Sequence, residues 1–147
     1  MIMIKEITTF ETFTVRHPVL RAGQEIETCY LIGDDLETTV HFGYYFDDEL
    51  AGVVTLFRQQ SDLFPELEVY RIRGMAVLEK FQKKGFGEKL IHYCERFVQN
   101  QNVKLLWFNA RINAVGFYEK LNYIKVGNVF EIENLGLHFV MFKQLVN

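Results

Sequence analysis

Gln82-Lys83-Lys84-Gly85-Phe86-Gly87 is the stretch of this 147-residue chain whose residue types and spacing point most directly to chemistry. Two glycines one residue apart, followed by Glu88-Lys89-Leu90-Ile91 and then Cys94, Phe97 and Val98, read as a tight turn that opens an amphipathic helix. The first amides of such a helix have no intrahelical partner and carry the positive end of the macrodipole, so the turn is an anion site, most naturally for phosphate. Gly85 and Gly87 let an anion approach the backbone, and Lys83 and Lys84 add positive charge at the mouth. Taken without the glycines, the two lysines read equally well as a solvated pair. The spacing excludes two phosphate motifs. A P-loop needs four residues between its glycines and then Gly-Lys-Ser/Thr, and a dinucleotide fingerprint needs a third glycine, whereas Glu88, Lys89 and Leu90 follow Gly87.

The elements that must position this turn are read from periodicity. A loosely helical segment runs from about Thr8 to Leu20, with Pro18 disturbing its end. A hairpin follows, with arms Val40 to Phe46 and Leu50 to Phe57 around the turn Asp47-Asp48-Glu49. Val69 to Val77 is a third strand leading through Leu78-Glu79-Lys80-Phe81 into the glycine turn. The helix from Glu88 to about Asn100 turns Lys89, Glu95, Arg96 and Gln99 to water, and Val103 to Phe108 is an apolar strand of the kind buried on both faces. Strand, helix and strand then form a right-handed crossover with parallel strands, which makes the fold class α/β. A second helix spans roughly Ala114 to Leu121. Asn122 stands where the chain must enter the left-handed region, and strands near Tyr123 to Val126 and Leu137 to Leu145 finish a mixed sheet.

Composition sets the limits. Residues 1–147 read as a single domain, 49% hydrophobic, with no repeat or low-complexity linker. A net charge of −3 argues against a nucleic-acid partner. The run Met1-Ile2-Met3-Ile4 is too short for a secretory signal, and no stretch approaches a membrane span, so no membrane partner is expected and the default compartment is the cytoplasm. Cys29 and Cys94 are far apart, outside any CxxC pattern, and read as buried thiols; no metal site is expected. His17, His41 and His138, taken singly, are more often structural than catalytic, and Phe42, Tyr44, Tyr45 and Phe46 read as sheet packing.

Gln82, Gly85 and Gly87, after the strand ending Gly74-Met75-Ala76-Val77, resemble the acyl-coenzyme A motif of the GCN5-related N-acetyltransferases (GNAT), Arg/Gln-x-x-Gly-x-Gly/Ala. Ala114-Val115-Gly116-Phe117-Tyr118-Glu119-Lys120-Leu121-Asn122-Tyr123 is similar to a second segment of that family, Ala-x-x-Phe-Tyr-Glu-Lys-x-Gly-Phe, in the right order. The resemblance is best from Arg73 to Tyr123. It implies a GNAT fold: a mixed, mostly antiparallel twisted sheet with flanking helices and a central splayed pair of parallel strands. It further implies that acetyl-coenzyme A is the acyl donor, its pantetheine arm paired along Met75, Ala76 and Val77. The pyrophosphate would lie on the amides of Lys83, Lys84, Gly85, Phe86 and Gly87 beside Gln82, with Asn113 and Phe117 lining the arm. Tyr118 stands where the family places a tyrosine beside the thioester sulfur, although a lone tyrosine on an amphipathic helix is by default a core-edge residue.

The acceptor side is less defined. Glu68 lies on or just before the strand that carries a glutamate base in some relatives, although the closest register puts Arg71 there; His138 is the second candidate base, because the late strands border the acceptor side. Arg111 replaces a common asparagine and reads first as solvent-facing, with Asn109 and Asn113 as nearby amides. Glu27, Asp34 and Asp35 either attract a cationic amine or are merely solvated. The expected activity is direct acetyl transfer to an amine of a small molecule or peptide, and a homodimer is left open. The alternative is a non-catalytic acyl-coenzyme A sensor or interaction module of the same fold.

Overall fold

An edge strand that offers almost no apolar alternation opens the chain. β1 (Ile2–Ile7) pairs antiparallel with β2 (Val40–Phe46), from Ile2 opposite Phe46 to Ile7 opposite His41. It went unread in the sequence because only Ile7 of its six residues is buried. The computed structural model describes residues 2–65 and 68–146; Met1, where the N-terminal apolar run begins, lies outside them. β3 (Glu49–Arg58), β4 (Tyr70–Val77), β5 (Leu105–Arg111), β6 (Ile124–Ile132) and β7 (Gly136–Gln144) complete a seven-stranded sheet in the order β1-β2-β3-β4-β5-β7-β6. Every neighbouring pair is antiparallel except β4 and β5. This is the expected mixed sheet with one central parallel pair.

Helices cover both faces. α1 (Thr9–Leu20) starts on a capping box in which the Glu11 amide donates to Thr8 Oγ1 at 3.2 Å and the Thr8 amide to Glu11 Oε1 at 2.9 Å. Pro18 stands inside α1 without ending it, since the helix runs on to Leu20. Val15 packs with Ile7, Val53 and Ala76 on this face. α2 (Phe86–Asn100) covers the other, where Leu90, Ile91, Cys94 and Val98 meet Phe42, Tyr44, Leu56 and Ile72. Both cysteines are buried and free.

Glu95 corrects the expected solvent face of α2. It is buried, accepts from the Tyr123 hydroxyl at 2.8 Å and from Lys143 Nζ at 3.0 Å, and so ties α2 to the far end of the sheet. A carboxylate survives burial there because a hydroxyl and a cation both satisfy it. α3 (Val115–Lys120) is short and closes on Asn122 at φ 73, with the Tyr123 amide donating to the Tyr118 carbonyl at 3.1 Å. Asparagine tolerates this left-handed position almost as well as glycine.

Candidate functional site

The parallel ladder between β4 and β5 consists of two register positions, Tyr70 opposite Leu106 and Arg71 opposite Trp107. Beyond them the strands part while each stays paired on its outer side, β4 with β3 and β5 with β7. The backbone of β4 from Ile72 to Val77 therefore faces a gap where a neighbouring strand would normally sit. A bulge helps to open it. The β3–β4 register slips between Val53 and Thr55, opposite Gly74 at φ 63. Glycine is required at this point on two grounds. The backbone is left-handed, and a Cβ would stand 3.0 Å from Arg16 Nε and 3.3 Å from Leu31 Cδ1.

At the C-terminal end of β4 the chain turns through Gln82 to Gly87. The Gln82 amide donates from Nε2 to the Val77 carbonyl at 2.8 Å and fastens the turn to the strand it leaves. Gly85 is the N-cap of α2 at φ 83, with nothing within 4 Å of where a Cβ would be, and Lys83 is also left-handed at φ 64. Phe86 turns inward and stacks on Tyr44 with centroids 4.2 Å apart, so only its backbone faces outward. A Cβ on Gly87 would meet Met75 Cε at 3.6 Å and Phe117 Cζ at 3.9 Å, which puts this glycine between β4 and α3. The first amides of α2 thus open onto uncluttered space beside exposed Lys83 and Lys84, a backbone cradle suited to a phosphate.

Between this turn and the other end of the gap lies a cavity of about 660 Å³, whose walls include Met75, Gln82, Asn113, Tyr118 and His138. Tyr118 packs against Phe108 at 4.4 Å between centroids and against Phe117 at 5.0 Å. Burial pushes its hydroxyl up to about 12, so the phenol holds its proton across the neutral range. His138 is buried, with Nδ1 at 2.8 Å from the Gly136 carbonyl. A carbonyl only accepts, so Nδ1 carries a proton, and in the neutral tautomer it is Nε2 that holds the lone pair.

The expected site residues separate into three groups. Met75, Gln82, Asn113, Tyr118 and His138 share the cavity. Lys83, Lys84, Gly85 and Gly87 form the turn above it, with Phe117 alongside. Ala76, Val77 and Phe86 turn their side chains to the packed interior, leaving their backbones as the accessible part. Glu68 is brought into neither place. It is exposed, precedes β4 at the end away from the turn, and pairs with Arg58 Nη2. Asp34 is neither an amine attractor nor solvated, because its buried carboxylate takes both nitrogens of Arg16, at 2.7 and 3.1 Å. Arg111, exposed at the end of β5, stands in the cavity wall with its Cα opposite that of His138.

Sequence reasoning passed over Arg21 and Arg73 and met Arg71 only as an occupant of another residue's position. All three line the cavity. The signal was present in the alternation of β4. Tyr70 and Ile72 pack under α2, which turns Arg71 and Arg73 to the opposite face of a central strand, an unusual location for two charges.

The acetyltransferase (GNAT) domain family matches residues 19–145. An uncharacterized N-acetyltransferase of Bacillus subtilis strain 168, YitI, is 35% identical over 145 residues, covering 99% of this chain and 97% of its own. The solved structure of an aminoglycoside 6′-N-acetyltransferase complexed with coenzyme A superposes with a TM-score of 0.79 at 14% identity, over 99% of this chain and 98% of that one. A GNAT family acetyltransferase from Elizabethkingia anophelis with acetyl-CoA bound gives 0.72 at 17% identity, over 98% of both chains. At such identities the two solved structures speak to the fold.

Proposed function

The chain belongs to the GNAT acetyltransferase family, and from that premise we propose that it transfers an acetyl group from acetyl-coenzyme A directly to an amine of a small molecule or peptide. The observation that carries this reading is the gap between β4 and β5, with an open helix N-terminus at one end and a partly buried phenol in its wall. The amides from Lys83 to Gly87 would hold the pyrophosphate, and the unpaired edge of β4 from Met75 to Val77 would hold the pantetheine arm as an added strand. Two structural neighbours that carry coenzyme A or acetyl-CoA support the choice of donor.

Bound acetyl-coenzyme A supplies a thioester, whose carbonyl carbon forms the new C–N bond as its C–S bond breaks. His138 Nε2 takes the proton that the amine loses, because its lone pair is free while Nδ1 is held by the Gly136 carbonyl. Tyr118 serves the departing sulfur. A thiol ionises near 8.5, so full transfer of a proton from a phenol pushed up to about 12 is uphill by roughly 5 kcal/mol. Tyr118 therefore acts mainly as a hydrogen-bond donor to charge developing on sulfur. Cys94 is not placed to intercept the acyl group: it is fully buried in the core under α2, and burial raises its thiol far above the usual range.

Calorimetric titration with acetyl-CoA tests the donor site. The wild-type chain is expected to bind saturably. Gly87→Ala should weaken binding about tenfold, or ~1.4 kcal/mol, with the melting temperature unchanged, because the new methyl meets only ordinary contacts within the chain. No binding by the wild type, or an unaltered Kd in the variant, sinks the assignment of the turn.

A further inference from the structure

We propose that the acceptor amine also bears an oxyanion, a carboxylate or phosphate, and that Arg71, Arg73 and Arg111 receive it. The inference rests on the reading above, in which the turn at Gln82 to Gly87 seats the coenzyme's pyrophosphate.

Charge in the cavity is one-sided. Its wall includes Arg16, Arg21, Arg71, Arg73 and Arg111, and no aspartate or glutamate. Arg16 is already neutralised by Asp34. Among the described residues none of the other four has an ion pair. Arg71 lies over the Trp107 ring at 4.8 Å, donates from Nη1 to the neutral Gln59 Oε1 at 3.3 Å, and keeps a buried Nε without a partner. Arg73 is held over Phe57 at 5.7 Å, and the Arg21 guanidinium donates to the Leu20 carbonyl. Half-burial, and then the neighbouring Arg73, pull Arg71 down to about 10; burial lowers Arg73 as well, against an opposing pull from the Asp34 carboxylate. Two like charges on one face of a central strand, partly stripped of water and with no ion pair of their own, are an arrangement that a bound anion relieves.

The pyrophosphate on the turn is not the anion at Arg71, which lies six residues before Val77, roughly 20 Å along the strand at about 3.3 Å per residue. Guanidinium forks match the two oxygens of a carboxylate or phosphate, and Arg111 stands opposite His138, which brings one fork of the clamp beside the candidate base, with Arg71 and Arg73 in the same cavity wall. The whole chain carries a net charge of −3, so the one-signed wall of the cavity is a local feature and does not follow from the overall charge. A polyamine or another polycation would meet like charge there.

The test measures thiol release from acetyl-CoA with L-glutamate, O-phosphoethanolamine, L-glutaminamide and spermidine. An anionic acceptor is expected to exceed L-glutaminamide at least tenfold in kcat/KM, and the better of the first two distinguishes carboxylate from phosphate. Arg71→Gln and Arg111→Gln should each raise the KM for that acceptor at least fivefold while the KM for acetyl-CoA stays constant; Arg111 is exposed, so its variant is free of a folding penalty. Preference for L-glutaminamide or spermidine, or variants that keep the anionic preference, overturns the proposal. Calorimetry with N-acetyl-L-glutamate and with inorganic phosphate covers the case of no turnover. Saturable binding of either that weakens in Arg71→Gln supports the anion site, and absence of both from the wild type overturns it. Failure of acetyl-CoA to bind strikes the donor reading instead.

Discussion

Tyr118 and His138 divide the proton work of the proposed reaction by their surroundings alone. The aromatic packing that strips water from Tyr118 strengthens its grip on its proton, which suits a donor that must not ionise before charge appears on sulfur. His138 gains its role from a single hydrogen bond, because the Gly136 carbonyl fixes a proton on Nδ1 and makes Nε2 the basic nitrogen of the neutral ring. The two substitutions should therefore fail differently. Tyr118→Phe removes one donor to developing charge and is expected to lower kcat about a hundredfold, with acetyl-CoA affinity intact. His138→Gln should also lower kcat about a hundredfold by removing the base, but its deficit should shrink as pH rises and more of the amine arrives deprotonated. Steady-state kinetics from pH 6.5 to 9.5 separate the two profiles. A Tyr118→Phe enzyme with undiminished kcat would remove the phenol from the mechanism.

Among the elements, the segment between α1 and β2 has one short 3-10 turn, Ile26–Cys29, and a buried ion pair holds it. Arg16 donates to Asp34 through both terminal nitrogens, to the Cys29 carbonyl at 2.9 Å and to Thr55 Oγ1 at 2.7 Å, while Asp34 Oδ2 also takes the Leu31 amide at 2.8 Å. One guanidinium thereby fastens α1, the following loop and β3, and the same Arg16, Cys29 and Leu31 form part of the cavity wall. Asp34→Ala leaves the buried cation unpaired and is expected to cost about 3–5 kcal/mol, read from the shift in urea midpoint. A loss below 1 kcal/mol would show that the loop is held by other contacts.

Local signals made part of this architecture legible. Asn122, the apolar run of β5 and the stripe on α2 each carry their own pattern. The glycine turn was readable because its geometry demands glycine. What stayed hidden depends on partners distant in sequence. The Arg16–Asp34 pair spans 18 residues, Glu95 finds Tyr123 and Lys143 at 28 and 48, and β1 is defined by its pairing with β2 instead of by its own alternation. The arginine-lined cavity appears only when β4, β5 and the two loops that flank them are assembled.

For the whole molecule, the buried polar network links acidity to stability. Thr55 Oγ1, which accepts from Arg16, donates to His41 Nδ1 at 2.7 Å, and His41 Nε2 donates to the Asp34 carbonyl at 3.0 Å. Both ring nitrogens are thus committed with the imidazole neutral. Burial lowers the His41 pKa below its ordinary 6.5; the Asp34 carbonyl and carboxylate pull it up, and Arg16 adds to the depression. A histidine with a depressed pKa binds its proton less readily in the folded chain than in the unfolded one. Well above pH 6.5 neither state is protonated and the site contributes no pH dependence. Below that value the unfolded chain takes up the proton first, so stability falls as pH drops toward the folded-state pKa, by at most about 1.4 kcal/mol per pH unit for one proton. Carboxylates protonate lower still, which leaves pH 5.5–7.5 as the window in which the histidine's contribution is best separated. Urea unfolding at pH 7.5, 6.5 and 5.5 should show a decline confined to the acid half of that range. In His41→Gln, which keeps a hydrogen-bonding amide but cannot titrate, the decline should flatten. An equal slope in both proteins would place the acid sensitivity outside this network.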